Sequence, residues 1–197
     1  KAQELIDEYK RTNDYTLENP LLILNPFGSV RTAVYTYFTT KDAVNITYTV
    51  SVQDEGIGDF TATLYSNEEG TPVTEHEGLF IGLLPGMTNT VTVNATDTNG
   101  TVVASTTYEL TIPDFATLDK LVYTASDLND TEKLSNGLFT LSDYDLQDPE
   151  EFAHMILVDN TGVVRAEIVL NVIKNNPVIE FIGGNIVYSY DMNGIAS

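Results

Sequence analysis

The chain has 197 residues, 42% of them hydrophobic, and sets nine Lys and Arg against 29 Asp and Glu for a formal charge of −20. Such an acid excess excludes nucleic-acid and anionic-membrane partners, which need clustered cations, and no run of about 18 apolar residues offers a membrane span. Without cysteine there is no disulfide, thiolate metal site or thiol nucleophile, and the redox compartment is left unread.

Length and apolar content suffice for one to two domains. At the start, Ala2, Leu5, Ile6 and Tyr9 fall at helical spacing with Glu4, Asp7 and Glu8 between them. This predicts an amphipathic helix of about three turns, its early acids and the closing Lys10-Arg11 suiting the helix dipole. Residues 20–28, PLLILNPFG, read as an extended apolar arm broken at Asn25-Pro26 and Gly28. A chain that begins at Lys1 is expected to be a mature or excised one whose leader or anchor has been removed, and so extracellular or surface-attached.

From 30 to 112 short strands recur. The β-branched and aromatic run over 30–39 predicts one. In the next, Val44, Ile46, Tyr48, Val50 and Val52 alternate with Asn45, Thr47, Thr49, Ser51 and Gln53, a half-buried strand. Phe60, Ala62 and Leu64 alternate with Asp59, Thr61 and Thr63, and Gly56, Gly58 and Gly70-Thr71-Pro72 supply breaks. Residues 76–112 encode a hairpin: Val91, Val93 and Ala95 alternate with Thr90, Thr92 and Asn94, then Val102, Ala104, Thr106, Tyr108, Leu110 and Ile112 with Thr101, Ser105, Thr107, Glu109 and Thr111. Val103 alone breaks the polar face. Period two means antiparallel strands with one buried face, and Asn99-Gly100 predicts a tight primed turn with positive φ between them. Six or seven short strands in about 85 residues is the rhythm of an immunoglobulin-like or fibronectin type III-like sandwich over 21–113.

After Pro113-Asp114 the composition turns Leu- and Asp-rich, which predicts a linker over 114–137 with at most a short helix near 116–123. Strands are then expected at 151–159, 163–172, 178–182 and 185–191, joined by Asp159-Asn160-Thr161-Gly162 and Gly183-Gly184. Residues 138–197 thus read as a β-meander resembling the first blade of a truncated β-propeller.

Several motifs resemble the N-terminal domain of bacterial aryl-sulfate sulfotransferases. They are Asn25-Pro26-Phe27-Gly28 before a strand, His76-Glu77-Gly78-Leu79-Phe80-Ile81-Gly82-Leu83, and Pro85-Gly86-Met87-Thr88-Asn89-Thr90-Val91-Thr92-Val93. Residues 156–165 and 185–191 are similar to the opening blade of the propeller that follows in that family. The chain departs from the family where Phe27 stands for Tyr and Ser29-Val30-Arg31-Thr32 for a small, Pro-containing strand start. The resemblance implies a parent enzyme that moves sulfate from a phenyl sulfate to a phenol through a propeller sulfohistidine, without a nucleotide donor. Its chemistry would lie beyond Ser197. The chain itself is then expected to be an inactive brace for the rest of the propeller, with a homodimer as a further possibility through uncovered blade edges and the amphipathic helix. The rival reading is an extracellular binding or adhesion module with no enzymatic activity.

No residue is assigned as catalytic, cofactor-binding or metal-binding, and no cofactor is expected. His76 stands between Glu75 and Glu77, whose charges are expected to raise its pKa and weaken it as a nucleophile. His154, among Phe152, Ala153, Met155 and Ile156, reads as a packed histidine. The turns opening at Asp97, Asp159 and Asp191 resemble the first half of a calcium loop but lack its twelfth-position acid, so turn chemistry accounts for them. Asn45, Asn94, Asn99 and Asn129 head formal glycosylation sequons.

Overall fold

A computed structural model describes residues 1–114, 137–143, 152–173, 178–182 and 185–189. Helix α1 (Ala2–Lys10) forms where the helical spacing places it. Of its apolar stripe Ile6 enters the core, while Leu5 and Tyr9 remain exposed. Lys10 anchors the helix to the strands beneath: its Nζ donates to Glu77 Oε2 at 2.7 Å and lies 4.2 Å from the Tyr37 ring centroid.

Six antiparallel strands follow: β1 (Leu21–Leu24), β2 (Val34–Ser51), β3 (Phe60–Leu64), β4 (Val73–Phe80), β5 (Thr88–Thr96) and β6 (Val102–Thr111). The two strands expected at 30–39 and from Val44 onward are one long strand. Nothing in Thr40-Lys41-Asp42-Ala43 forbids extended backbone, so β2 passes through an irregularity between Thr39 and Val44 and changes partners there. Its first half pairs with β1 and β4, its second with β3 and β5, and β6 closes the row beside β5. Two sheets therefore share one strand. Between them lies a core that includes Phe38, Ile46, Tyr48, Phe80, Val91 and Val93, each at most 1% exposed. Full burial of such a side chain contributes roughly 1.5–3 kcal/mol.

The alternation over β5 holds, but β6 follows it only in part. Tyr108 and Ile112 are buried, whereas Val102 and Ala104 lie exposed with Val103 where the strand runs past the core. The β5–β6 turn is also of another kind than expected. Gly100 has φ +82, and Asn99 does not share the left-handed region. The Gly100 amide donates to Asp97 O at 3.0 Å, and Asp97 Oδ1 accepts the amides of Asn99 and Thr101, both at 2.9 Å. That carboxylate holds a three-residue loop, a type I turn followed by a left-handed glycine, in place of a two-residue primed turn.

A buried amide fixes the loop before β5. Asn89, fully buried, accepts the Leu84 amide at 2.7 Å and donates to Leu84 O at 3.0 Å and Met87 O at 3.1 Å. Each polar group so placed is satisfied, which is what keeps a buried amide from costing stability.

Beyond the sandwich, β7 (Leu138–Asp143), β8 (Phe152–Asp159) and β9 (Val164–Ile173) make a three-stranded antiparallel sheet, and β10 (Val178–Ile182) and β11 (Asn185–Ser189) a separate hairpin. Strand β7 was not foreseen, since its short apolar run adjoins the acidic stretch at 143–151. The anticipated four-stranded meander is instead three strands plus two. The helix anticipated near 116–123 lies outside the described residues.

Candidate functional site

Two places gather chemistry-bearing side chains, and the first is the junction between the sandwich and the β7–β9 sheet. At the β8–β9 turn Asp159 Oδ1 accepts the Thr161 hydroxyl at 2.6 Å, the Thr161 amide at 2.8 Å and the Val163 amide at 3.1 Å. The turn repeats the Asp97 pattern, with Gly162 at φ +86 donating to Asp159 O at 3.0 Å. Both aspartates serve turn amides, and among the described residues no group of three or more His, Asp or Glu is placed to hold a metal. The Asp191 turn lies outside the described residues.

Asp159 has a second partner. Arg165, 1% exposed, donates from Nε to Asp159 Oδ2 at 2.6 Å and from Nη2 to Gly58 O across the junction. Its guanidinium lies 5.5 Å from the Phe60 ring centroid, a cation–π contact. Burial alone would raise the Asp159 pKa, but the Thr161 hydroxyl, Arg165 and the amides of Val163 and Thr161 outweigh it and hold the carboxyl below its ordinary value. Backbone joins backbone here too: the Gly82 amide donates to Arg165 O at 2.9 Å, and Val30 bridges Ile168. Arg31 Nη1 stands 4.0 Å from the buried Glu167 Oε2. The sandwich thus covers the side of β9 that β8 leaves open, and the edge expected to be uncovered is shielded at these positions.

Arg165 was missed as a functional residue, though a signal existed: it is one of only three arginines, set in the apolar run VVRAEIVL. Gly82 was missed as well, because its importance depends on Phe60, 22 positions earlier, occupying the space a Cβ would need.

The second place is His76. Period two sends Glu75 and Glu77 to the opposite face of β4, where Glu77 holds Lys10 and accepts the Tyr35 hydroxyl at 2.8 Å. His76 points inward, 1% exposed, with its ring stacked on Phe38 at 4.9 Å between centroids. The expected rise in its pKa is therefore reversed: burial pushes the imidazole down to about 4. Neighbouring hydroxyls fix the tautomer. The Thr40 hydroxyl proton goes to Asp42 O at 2.9 Å, so Thr40 Oγ1 accepts from His76 Nε2–H at 3.0 Å. The Nδ1 lone pair is left to accept from Ser66 at 3.4 Å. Because the folded state holds His76 neutral, its contribution to stability is full above about pH 6.5 and declines as pH falls towards 4. An NMR titration of the ring is expected to show a midpoint near 4, and a midpoint above 6.5 would restore the influence of Glu75 and Glu77.

A cleft of about 340 Å³ opens beside His76, with Val44, Ile46 and Leu64 among its apolar lining and Asn45, Thr47, Ser66 and Tyr65 at its polar rim. His154 is placed only by its backbone, paired with Asp143 and Val169; its side chain lies outside the described residues. Of the sequons, Asn45 and Asn94 are half-buried on one sheet face and Asn99 sits exposed at the hairpin tip.

Residues 21–113 match the family described as the arylsulfotransferase Ig-like domain. No curated protein and no solved structure matches the chain.

Proposed function

Since residues 21–113 match the family described as the arylsulfotransferase Ig-like domain, we propose that the chain is the supporting N-terminal part of an aryl-sulfate sulfotransferase, acting outside the cytoplasm. In this reading the sandwich performs no chemistry. It holds the β7–β9 sheet as the opening piece of a propeller, whose further blades are its partner and carry sulfate from a phenyl sulfate to a phenol through a histidine. The observation that carries the reading is the covered side of β9: Gly82 and Val30 meet it through backbone, and Arg165 enters the sandwich to reach Gly58.

His76 is a poor transfer nucleophile on three counts. It is buried, both ring nitrogens are engaged by hydroxyls, and it stacks on Phe38. Incubating the chain with a phenyl sulfate and a phenol is expected to give no transfer. Turnover that disappears in His76→Ala would overturn the assignment of a purely supporting role.

A further inference from the structure

In a chain carrying a formal charge of −20, one broad surface of the sandwich is almost without charge. It is the outer face of the sheet made by β3, the second half of β2, β5 and β6. Register sets its residues in rows across the strands. Thr61, Thr49, Thr92 and Thr107 form one row of four threonines. Thr63, Thr47, Asn94 and Ser105 form the next, and Ser51, Thr90 and Glu109 a third. Glu109 is the one charged residue in these rows, and its carboxylate accepts the Thr90 hydroxyl at 2.9 Å.

The rows are ordered as well as nearly free of charge. Hydroxyls meet between Thr49 and Thr61 at 2.9 Å, Thr88 and Thr111 at 3.0 Å, and Thr92 and Thr107 at 3.4 Å. β-Branched side chains have few rotamers to lose, so a ligand laid on this face meets hydroxyls already placed, in pairs carried on strands about 4.8 Å apart. Preorganisation of this kind lowers the ordering cost of binding.

The face continues into the cleft beside His76. Asn45, Thr47, Thr63 and Thr96 belong to both, and the cleft lining contains no Asp, Glu, Lys or Arg. At the lip Tyr65 is 68% exposed, and the space a Cβ on Gly70 would occupy is 3.4 Å from its ring. An exposed aromatic ring, an apolar floor and a field of hydroxyl and amide groups without charge have a single chemical complement. That complement offers hydroxyls in both hydrogen-bonding roles, apolar C–H surfaces to lie on an aromatic face, and no ion to pair. An anionic polymer would be repelled by the net charge, and a cationic one would find no carboxylate cluster on this face.

We propose that this threonine face and the Tyr65 cleft bind a neutral polysaccharide, the chain lying along the rows and one sugar unit entering the cleft. The site is independent of the supporting role assigned above, since its residues make none of the contacts that join Gly58, Gly82 and Val30 to β9.

Affinity electrophoresis of the whole 197-residue chain through gels containing hydroxyethylcellulose, a soluble β-glucan or galactomannan, with alginate as the anionic comparison, tests this directly. Retardation is expected in at least one neutral gel and not in alginate. Tyr65→Ala at the lip and Thr92→Lys at the centre of the face are each expected to weaken it by about tenfold, the scale of losing a central aromatic anchor or blocking a contact surface. Thr98→Lys, the same charge change at the hairpin tip, is expected to leave retardation unchanged, and circular dichroism of each variant establishes that the fold is kept. Lack of retardation in every neutral gel overturns the proposal, as does retardation indifferent to Tyr65→Ala and Thr92→Lys. A wild-type chain that forms dimers broken by Thr92→Lys while ignoring the polysaccharides overturns it too, by giving the face to a second copy. None of these results alters the expectation of no sulfate transfer, so the two readings stand or fall separately.

Discussion

Gly82→Ala is expected to destabilise the chain by on the order of 3 kcal/mol, through two effects that a control can separate. Gly82 has φ +87, where an L-residue costs about 1–2 kcal/mol. A Cβ there would stand 2.2 Å from Phe60 Cδ1 and 2.6 Å from Cε1, inside any permitted contact, and forced overpacking adds roughly 1–3 kcal/mol. Gly100 has nearly the same φ, +82, with nothing within 4 Å of its would-be Cβ, so Gly100→Ala is expected to show only the backbone cost. For a chain of this length, thermal melting should drop by roughly 6–12 °C for Gly82→Ala and about half of that for Gly100→Ala. Adding Phe60→Leu to Gly82→Ala should recover part of the loss by making room. Equal effects of the two glycine substitutions would show that Phe60 does not fill the space under Gly82.

Arg165→Met keeps an unbranched stem as far as the Nε position and removes the guanidinium and its charge, and is expected to cost about 3–5 kcal/mol, the usual result of stripping one partner from a buried ion pair. Two acceptors lose their donors: Asp159 Oδ2, paired at 2.6 Å, and Gly58 O on the sandwich. The acidity dependence of this loss has a definite sign. Asp159 titrates below its ordinary value in the folded chain, so its contribution is present above the unfolded carboxyl pKa and is lost as pH falls through the folded one. Wild type and Arg165→Met should therefore differ most near neutrality and converge in acid. Asp159→Asn combined with Arg165→Met should regain part of the neutral-pH loss, because no unpaired carboxylate is left buried. Hydrogen exchange supplies the spatial readout: protection in β8 and β9 is expected to fall before that in β2 and β5. A uniform fall across both sheets would show that Arg165 supports the whole chain rather than the junction.

Much of the sandwich could be read from the residues because its information is local. Alternation over Val44 to Val50 and over Val91 to Ala95 states which side chains go inward, and the observed burial follows it. The β10 range, Val178–Ile182, is the predicted one. The same alternation held the answer for His76: neighbours on a strand face opposite ways, so Glu75 and Glu77 are remote from its ring despite being adjacent in sequence. The turn after β5 was legible as a turn but not as to type, since Asn-Gly favours a primed turn and Asp97 redirects it by capturing two amides.

By itself, then, the sequence determined an acidic, cysteine-free, mainly β chain with an Ig-like sandwich, and which faces of its strands are apolar, because those properties depend on composition and on a two-residue period. Tertiary structure alone decided that β2 runs through both sheets, that β6 outruns the core, that Asn89 is buried among backbone groups, and that Arg165 closes the junction on Gly58. Each of those depends on which distant segment arrives at an edge or a cavity. Pairing between Gly82 and Arg165, or Val30 and Ile168, leaves no periodic trace in either segment, since it is set by where the sheets end and not by how their strands alternate.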